Sequence, residues 1–174
     1  MFRERVSDDI YVFTSDLYAQ VTAGAVVTPE GTILIDSLPF PVETREMSSF
    51  IQKVSPGPVR YVILTHYHAD HSYGTYLFPE PDLISHQLCR QLLAERGRPA
   101  LEEAQTQEPL LEEVELRLPD VTFDGEGMAL QLAGQVTRLI SASGHTKDLI
   151  MVYVEKDQVL FASDVMMPVP SIVD

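Results

Sequence analysis

The chain is poor in cysteine, in cations and in long apolar runs, and each shortage narrows what it does. Cys89 is the only cysteine in 174 residues, so no intramolecular disulfide framework exists. It shares a helical face with Leu88, Leu92 and Leu93, which reads as a small buried hydrophobe rather than a nucleophile or ligand. Twelve basic residues stand against 26 acidic ones, for a formal charge of -14. A surface of that sign repels phosphate backbones and anionic lipid, so neither nucleic acid nor a membrane is expected as partner. No stretch approaches the roughly 18 apolar residues of a membrane span, and Met1-Phe2-Arg3-Glu4-Arg5-Val6-Ser7-Asp8-Asp9 lacks the apolar core of a signal peptide. The expected location is cytoplasmic.

With 45% hydrophobic residues, the sequence reads as one domain over 1–174 that buries about two-thirds of its unfolded surface. Its apolar pattern alternates between strand and helix periods. Ile10-Tyr11-Val12-Phe13, Ala19 to Val27 and Thr32 to Asp36 are strand-like, with Pro29-Glu30-Gly31 as a turn. Met47, Phe50, Ile51 and Val54 recur at helical spacing and predict an amphipathic helix over 43–54. Asp82-Leu83-Ile84 predicts a short strand, and Ser85 is placed to cap a helix over 86–96 that Gly97 would end. Pro99 to Pro119 carries six glutamates and predicts short helical pieces on an exposed face, beside which a site could find a lid or wall. Strands are expected again over 128–132, 136–143, 149–155 and 158–163.

Chemistry concentrates where the β-branched run Val59 to Thr65 ends in His66-Tyr67-His68-Ala69-Asp70-His71. Imidazole nitrogens and a carboxylate suit Zn²⁺, Fe²⁺ or Mn²⁺, and the 1,3 spacing points His66 and His68 the same way on extended backbone. Asp70 and His71 fall where the chain turns into its next element, within reach of a second ion, as two-metal hydrolytic centres require. Two later strands also end in candidate ligands, His145 within Gly144-His145-Thr146 and Asp164 after Val159-Leu160-Phe161-Ala162-Ser163. His86, at a helix start, reads as a cap rather than a ligand. Tyr67, Tyr73 and Tyr76 read as packing, and Gly74 as a point of close backbone approach.

This ordered set, His-x-His-x-Asp-His, then Gly-His-Thr, then an aspartate after an apolar strand, resembles the metallo-β-lactamase-fold superfamily over nearly the whole chain. The resemblance implies an α/β fold, an αββα sandwich with the metal site at one edge between the sheets. It further implies that His66, His68 and His145 hold a first metal and that Asp70 and His71 help hold a second. Asp164 resembles the carboxylate that bridges both ions in the glyoxalase II, lactonase and phosphodiesterase branches, where true β-lactamases place cysteine or serine. The activity implied by that branch is that of a zinc-type hydrolase. In it a metal-bridged hydroxide, oriented by Asp70, attacks an ester, thioester, lactone or phosphodiester of a small molecule.

Two departures accompany the resemblance. Lactonases of this fold carry a tyrosine shortly after the bridging aspartate, but Val165, Met166, Met167 and Pro168 follow here. The family domain also continues to a last histidine for the second metal, whereas this chain stops at Asp174, which is the pattern expected of a truncated domain whose bare apolar surface could pair with another copy. Persulfide dioxygenases of the same superfamily bind one iron through residues matching His66, His145 and Asp164, a rival that the long acidic insertion weighs against. A third reading is a non-catalytic metal-binding module.

Overall fold

A computed structural model describes residues 1–166. Seven strands form one sheet in the order β1 to β7: Phe2–Arg5, Ile10–Thr14, Thr22–Thr28, Gly31–Ile35, Val59–Ile63, Asp82–His86 and Val121–Phe123. β1 to β4 run antiparallel to their neighbours, while β4 to β7 are mutually parallel. A second, antiparallel sheet is ordered β11-β10-β9-β8, from Val159–Phe161, Ile150–Val154, Gln135–Ser141 and Gly127–Leu132. The helices are α1 (Pro41–Val54), α2 (Ala69–Ser72), α3 (Gln87–Leu92) and α4 (Arg98–Gln107). This is the mixed α/β sandwich anticipated from the motifs. Among the described residues it comprises a helical layer, the large sheet and the small sheet. No helix among them is long and apolar enough to cross a membrane.

The large sheet sits in the middle because its period-2 pattern is apolar on both sides. Leu34, Val62 and Leu83 point to a cluster with Met47 and Ile51 of α1 and Leu93 after α3. Ile33, Ile35, Ile63 and Ile84 point the other way, into Leu139, Ile150, Val152 and Val154 of the small sheet. Strands buried on both faces need apolar residues at successive positions, which is why Ile33-Leu34-Ile35 of β4 and Val62-Ile63 of β5 are consecutive rather than alternating. The small sheet instead alternates, with Ile150, Val152 and Val154 buried and Met151 and Tyr153 half-buried.

Several expected boundaries shift for local reasons. The strand expected from Ala19 starts at Thr22, because Ala19 and Gln20 take positive φ values of 43° and 57° and turn the chain instead. The helix expected to start at His86 and end at Gly97 starts at Gln87. His86 caps it through Nδ1, which accepts from Leu88 N at 3.2 Å, in place of Ser85. A π-helical turn, Leu93–Gly97, then leads straight into α4. Gly97 holds an ordinary helical φ of -66°, and a Cβ there would come 3.0 Å from Leu116 Cδ2, so the glycine serves close packing rather than termination. β1 and β7, both short and largely exposed, have too weak an apolar pattern to be legible.

The insertion after residue 98 is helical as expected, but it is tied down. Leu101, Leu111 and Val114 pack on Phe40 and Tyr73 in a third apolar cluster, and Arg45 grips Glu113 with two 2.5 Å contacts. Gly74 likewise meets its expected role, since a Cβ there would lie 2.4 Å from Thr44 Oγ1 and 2.7 Å from Leu38 O. Cys89 is fully buried, and burial pushes its thiol well above the ordinary range. A thiol reagent is therefore expected to leave the native protein unlabelled and to modify one thiol per chain in denaturant; prompt labelling of native protein would contradict this packing.

Candidate metal centre

All six candidate ligands come to one edge of the two sheets, in the segments that follow strands β5, β9 and β11. β5 runs into extended His66-Tyr67-His68, and His68, with φ -62° and ψ 150°, stands just before α2. The helical turn then closes through His71 N and Ser72 N, which donate to His68 O at 3.2 and 3.1 Å. That switch from strand to helix puts Asp70 and His71 into a second donor group beside the first, with the His66 and His71 rings 4.4 Å apart. His145 occupies the loop between β9 and β10. Asp164 lies in the tight turn Ser163–Val165 that follows β11. Of the residues noted after Asp164, Met167 and Pro168 lie outside the described residues.

Three imidazoles converge nitrogen to nitrogen. His68 Nδ1 is 3.0 Å from His66 Nε2 and 3.0 Å from His145 Nε2. Asp164 Oδ2 lies 3.4 Å from His145 Nε2 and 3.8 Å from His66 Nε2. A tetrahedral ion with bonds of about 2.0–2.1 Å sets its ligand atoms roughly 3.3 Å apart, and these separations bracket that figure. The donor atoms of His66, His68, His145 and Asp164 lie within 4.8 Å of one another, and so do those of Asp70, His71 and Asp164. Asp164 belongs to both groups. His71 Nε2 is 3.4 Å from Asp164 Oδ1 and 3.8 Å from Asp70 Oδ2, yet it is buried without a hydrogen-bond partner. An orphaned ring nitrogen facing two carboxylates fits a divalent cation between them.

The charges sort the histidines into two kinds. Burial, reinforced by the neighbouring rings of His71, His68 and His145, holds His66 well below its usual pKa. His68 is lowered for the same reasons, burial first and His145 next. Neutral imidazoles are the form that ligates. Burial opposes a charge on His71 too, but Asp36, joined by Asp164 and Asp70, outweighs it and raises His71 well above the ordinary range. Burial likewise works against the Asp164 carboxylate, and His71 more than offsets it, so Asp164 is lowered. Around His71 there is an excess of negative charge, which a proton or a metal ion balances.

The residue that sequence reading missed is Asp36. It ends β4, the strand beside the histidine-bearing one, and an acid closing an apolar strand is the same signal that singled out Asp164. Buried and in the left-handed region at φ 60°, it accepts from Thr65 N and Thr65 Oγ1, both at 2.7 Å, and from His71 Nδ1 at 2.9 Å. A carboxylate only accepts, so His71 carries its proton on Nδ1 and turns Nε2 to the centre. Thr65 gives its one hydroxyl proton to Asp36 and therefore accepts from its other neighbours, His66 Nδ1 at 3.1 Å and Ser163 Oγ at 2.8 Å. The same accounting leaves His66 Nε2 bare for a metal. Ser163, at φ 49°, ties the Asp164 turn into this network.

Tyr73 is packed in the apolar cluster with Phe40, while the Tyr67 ring lies against His68 at a 58° tilt with centroids 4.6 Å apart. Removing the Asp36 carboxylate strands the His71 Nδ1 proton in a buried site. Asp36→Ala is expected to weaken Zn²⁺ binding by about 10- to 100-fold, measured by competition with a chromogenic chelator.

Comparison with known proteins places this geometry. The family model of the metallo-beta-lactamase superfamily matches residues 18–173. The lactamase-like proteins nscB of Trichophyton equinum and Trichophyton tonsurans are each 30% identical over 142 residues, which cover 80% of this chain and 35% of theirs. The chain thus spans about a third of the length of the curated relatives it matches. The metallo-beta-lactamase from Pontibacter korlensis superposes with a TM-score of 0.78 at 22% identity, over 98% of this chain and 74% of that one. The metallo-beta-lactamase from Hirschia baltica gives 0.71 at 16% identity, over 92% and 69%. These structures share the fold. On that match over most of its length, the chain belongs to the metallo-beta-lactamase superfamily.

Proposed function

We propose that the chain is a metal-dependent hydrolase acting on an ester, thioester, lactone or phosphodiester of a small molecule. The observation that carries this reading is Asp164, whose carboxylate belongs to both donor groups and so suits two ions a few ångströms apart. His66, His68 and His145 would hold the first ion, Asp70 and His71 would help hold the second, and Asp164 would serve both. Imidazole and carboxylate donors suit zinc, with iron or manganese as further candidates. Ions bound there supply Lewis acidity at the scissile carbonyl or phosphoryl oxygen and acidify a water toward roughly neutral pKa.

The chain's own groups then orient and exclude. Asp70 is half-buried and lines an open groove with Gln20, Thr22, Ser163 and Asp164, where a carboxylate oxygen would be placed to accept a hydrogen bond from an attacking water. Asp36 and Thr65 hold His71 and His66 in the ligating tautomers. An aspartate at 164, where the superfamily's β-lactamases have cysteine or serine, supports a substrate other than a β-lactam. A mononuclear dioxygenase would use His66, His145 and Asp164 alone. It would leave His68 Nδ1, 3.0 Å from both partner rings, and the Asp70–His71 pair without a role.

Protein loaded with Zn²⁺ is expected to turn over members of an ester, thioester, lactone and phosphodiester panel. Asp70→Ala and His145→Ala should each lower the rate by at least about 100-fold. One iron per chain with O₂ uptake on glutathione persulfide would overturn the hydrolase reading, and metal binding without any turnover would favour the binding module. Zn²⁺ at 100 times its Kd should also raise stability by about 2.7 kcal/mol over metal-free protein, read from denaturant titration with and without chelator.

A further inference from the structure

We propose that Asp148 is a positioning residue whose buried charge holds the His145 loop against the His66–His68 segment and strengthens metal binding there. The proposal rests on the assignment of this edge as a metal centre. His145 comes from the second sheet and His66 and His68 from the first, so nothing in either sheet alone fixes the distance between them. The link is made by two bonds. Asp148 Oδ2 accepts from Tyr67 N at 2.8 Å, and Ile150 N donates to Thr65 O at 2.9 Å. Within the loop, Gly144 N donates to Thr146 O at 3.2 Å and Ala142 N to Leu149 O at 2.9 Å, so the displacement of Asp148 would carry His145 with it.

The Tyr67 amide is the one flanked by both rings. Held by Asp148, it sets the peptide from which His66 projects on one side and His68 on the other, and so the 3.0 Å approach of His68 Nδ1 to His145 Nε2. A neutral acceptor would satisfy that amide equally well. Asp148 is instead a carboxylate at 1% exposure whose second oxygen, Oδ1, is buried with no hydrogen-bond partner. The buried Cys89 thiol beside it is a weak donor at best, and the Asp148 charge raises that thiol further. Burying a charge with so little to answer it is costly unless a cation lies near. No lysine or arginine hydrogen bond or ion pair to Asp148 occurs among the described residues. Imidazole ligands bring no charge to a divalent ion, and the Asp164 carboxylate belongs to both donor groups. Asp148 supplies a further negative charge one layer out, through the backbone that carries the ligands.

The test compares Zn²⁺ affinity, by chelator competition, and the Co²⁺ ligand-field spectrum across variants of the whole chain, with metal-free melting temperatures alongside. Asp148→Asn keeps an acceptor for Tyr67 N and removes only the charge; it is expected to bind Zn²⁺ about tenfold more weakly with a metal-free melt at or above wild type. Asp148→Ala removes both and is expected to lose about 100-fold and to shift the Co²⁺ bands. Leu139→Ala, in the core between the sheets, controls for plain destabilisation: its melt should fall while its affinity holds. Wild-type affinity in Asp148→Asn would overturn the proposal whether or not Asp148→Ala folds, as would an affinity loss in Leu139→Ala matching that of the Asp148 variants. A wild-type chain that binds no Zn²⁺ overturns the metal-centre reading itself, whereas tight binding by wild type and both Asp148 variants overturns this inference alone.

Discussion

A buried carboxylate with three donors around it is the interaction on which the rest of this edge depends. Asp36 accepts from the backbone and side chain of Thr65 and from His71, so the ends of β4 and β5 and the start of α2 are joined at one point. Charge-assisted bonds of this kind are among the stronger ones inside a protein. Through Thr65 the same group reaches His66 and the Ser163 turn, and hence both sheets. The left-handed backbone at Asp36 and at Ser163 is the local strain that accompanies this arrangement, and it falls beside the functional groups, where strain of that sort concentrates.

The platform under that network is rigid for an ordinary reason. A central parallel region packed on both faces leaves the strands no freedom to tilt, since Leu34, Val62 and Leu83 are held from the helical side and Ile33, Ile63 and Ile84 from the other sheet. Parallel strands deliver their carboxyl ends to the same edge, where Asp36 and the histidine run emerge. The antiparallel sheet contributes differently, through the β9–β10 loop and the end of β11. The acidic insertion, clamped by Arg45 and Glu113 and seated on Tyr73, is held against α1 and the turn that follows α2.

Much of this was legible in the sequence because the candidate ligands follow strands whose apolar runs are unmistakable. His66 to His71, His145 and Asp164 each close such a run, and α1 announces itself through Met47, Phe50, Ile51 and Val54. What escaped depends on partners distant in sequence. Asp36 closes an apolar strand as Asp164 does, but its role shows only when Thr65 and His71 are placed against it, and Asp148 looks like a solvated neighbour of Lys147 until Tyr67 arrives from 81 residues away. Gly97 misled because a glycine after a helical pattern signals an end, while here the demand on it was the approach of Leu116. β1 and β7 escaped because edge strands with solvent on a face carry little pattern.

The origin of the donors in two sheets also bears on how the protein forms. His66, His68, Asp70 and His71 come from the large sheet, His145 and Asp164 from the small one, and the Thr65–Ser163 bond spans 98 residues of chain. Loop closure over that distance must precede any local reward, so the donor set is among the last features to assemble and exists only once both sheets have docked. An ion held there would act as a checkpoint of folding: partly folded chains would present scattered histidines, and only the finished sandwich would present a cage.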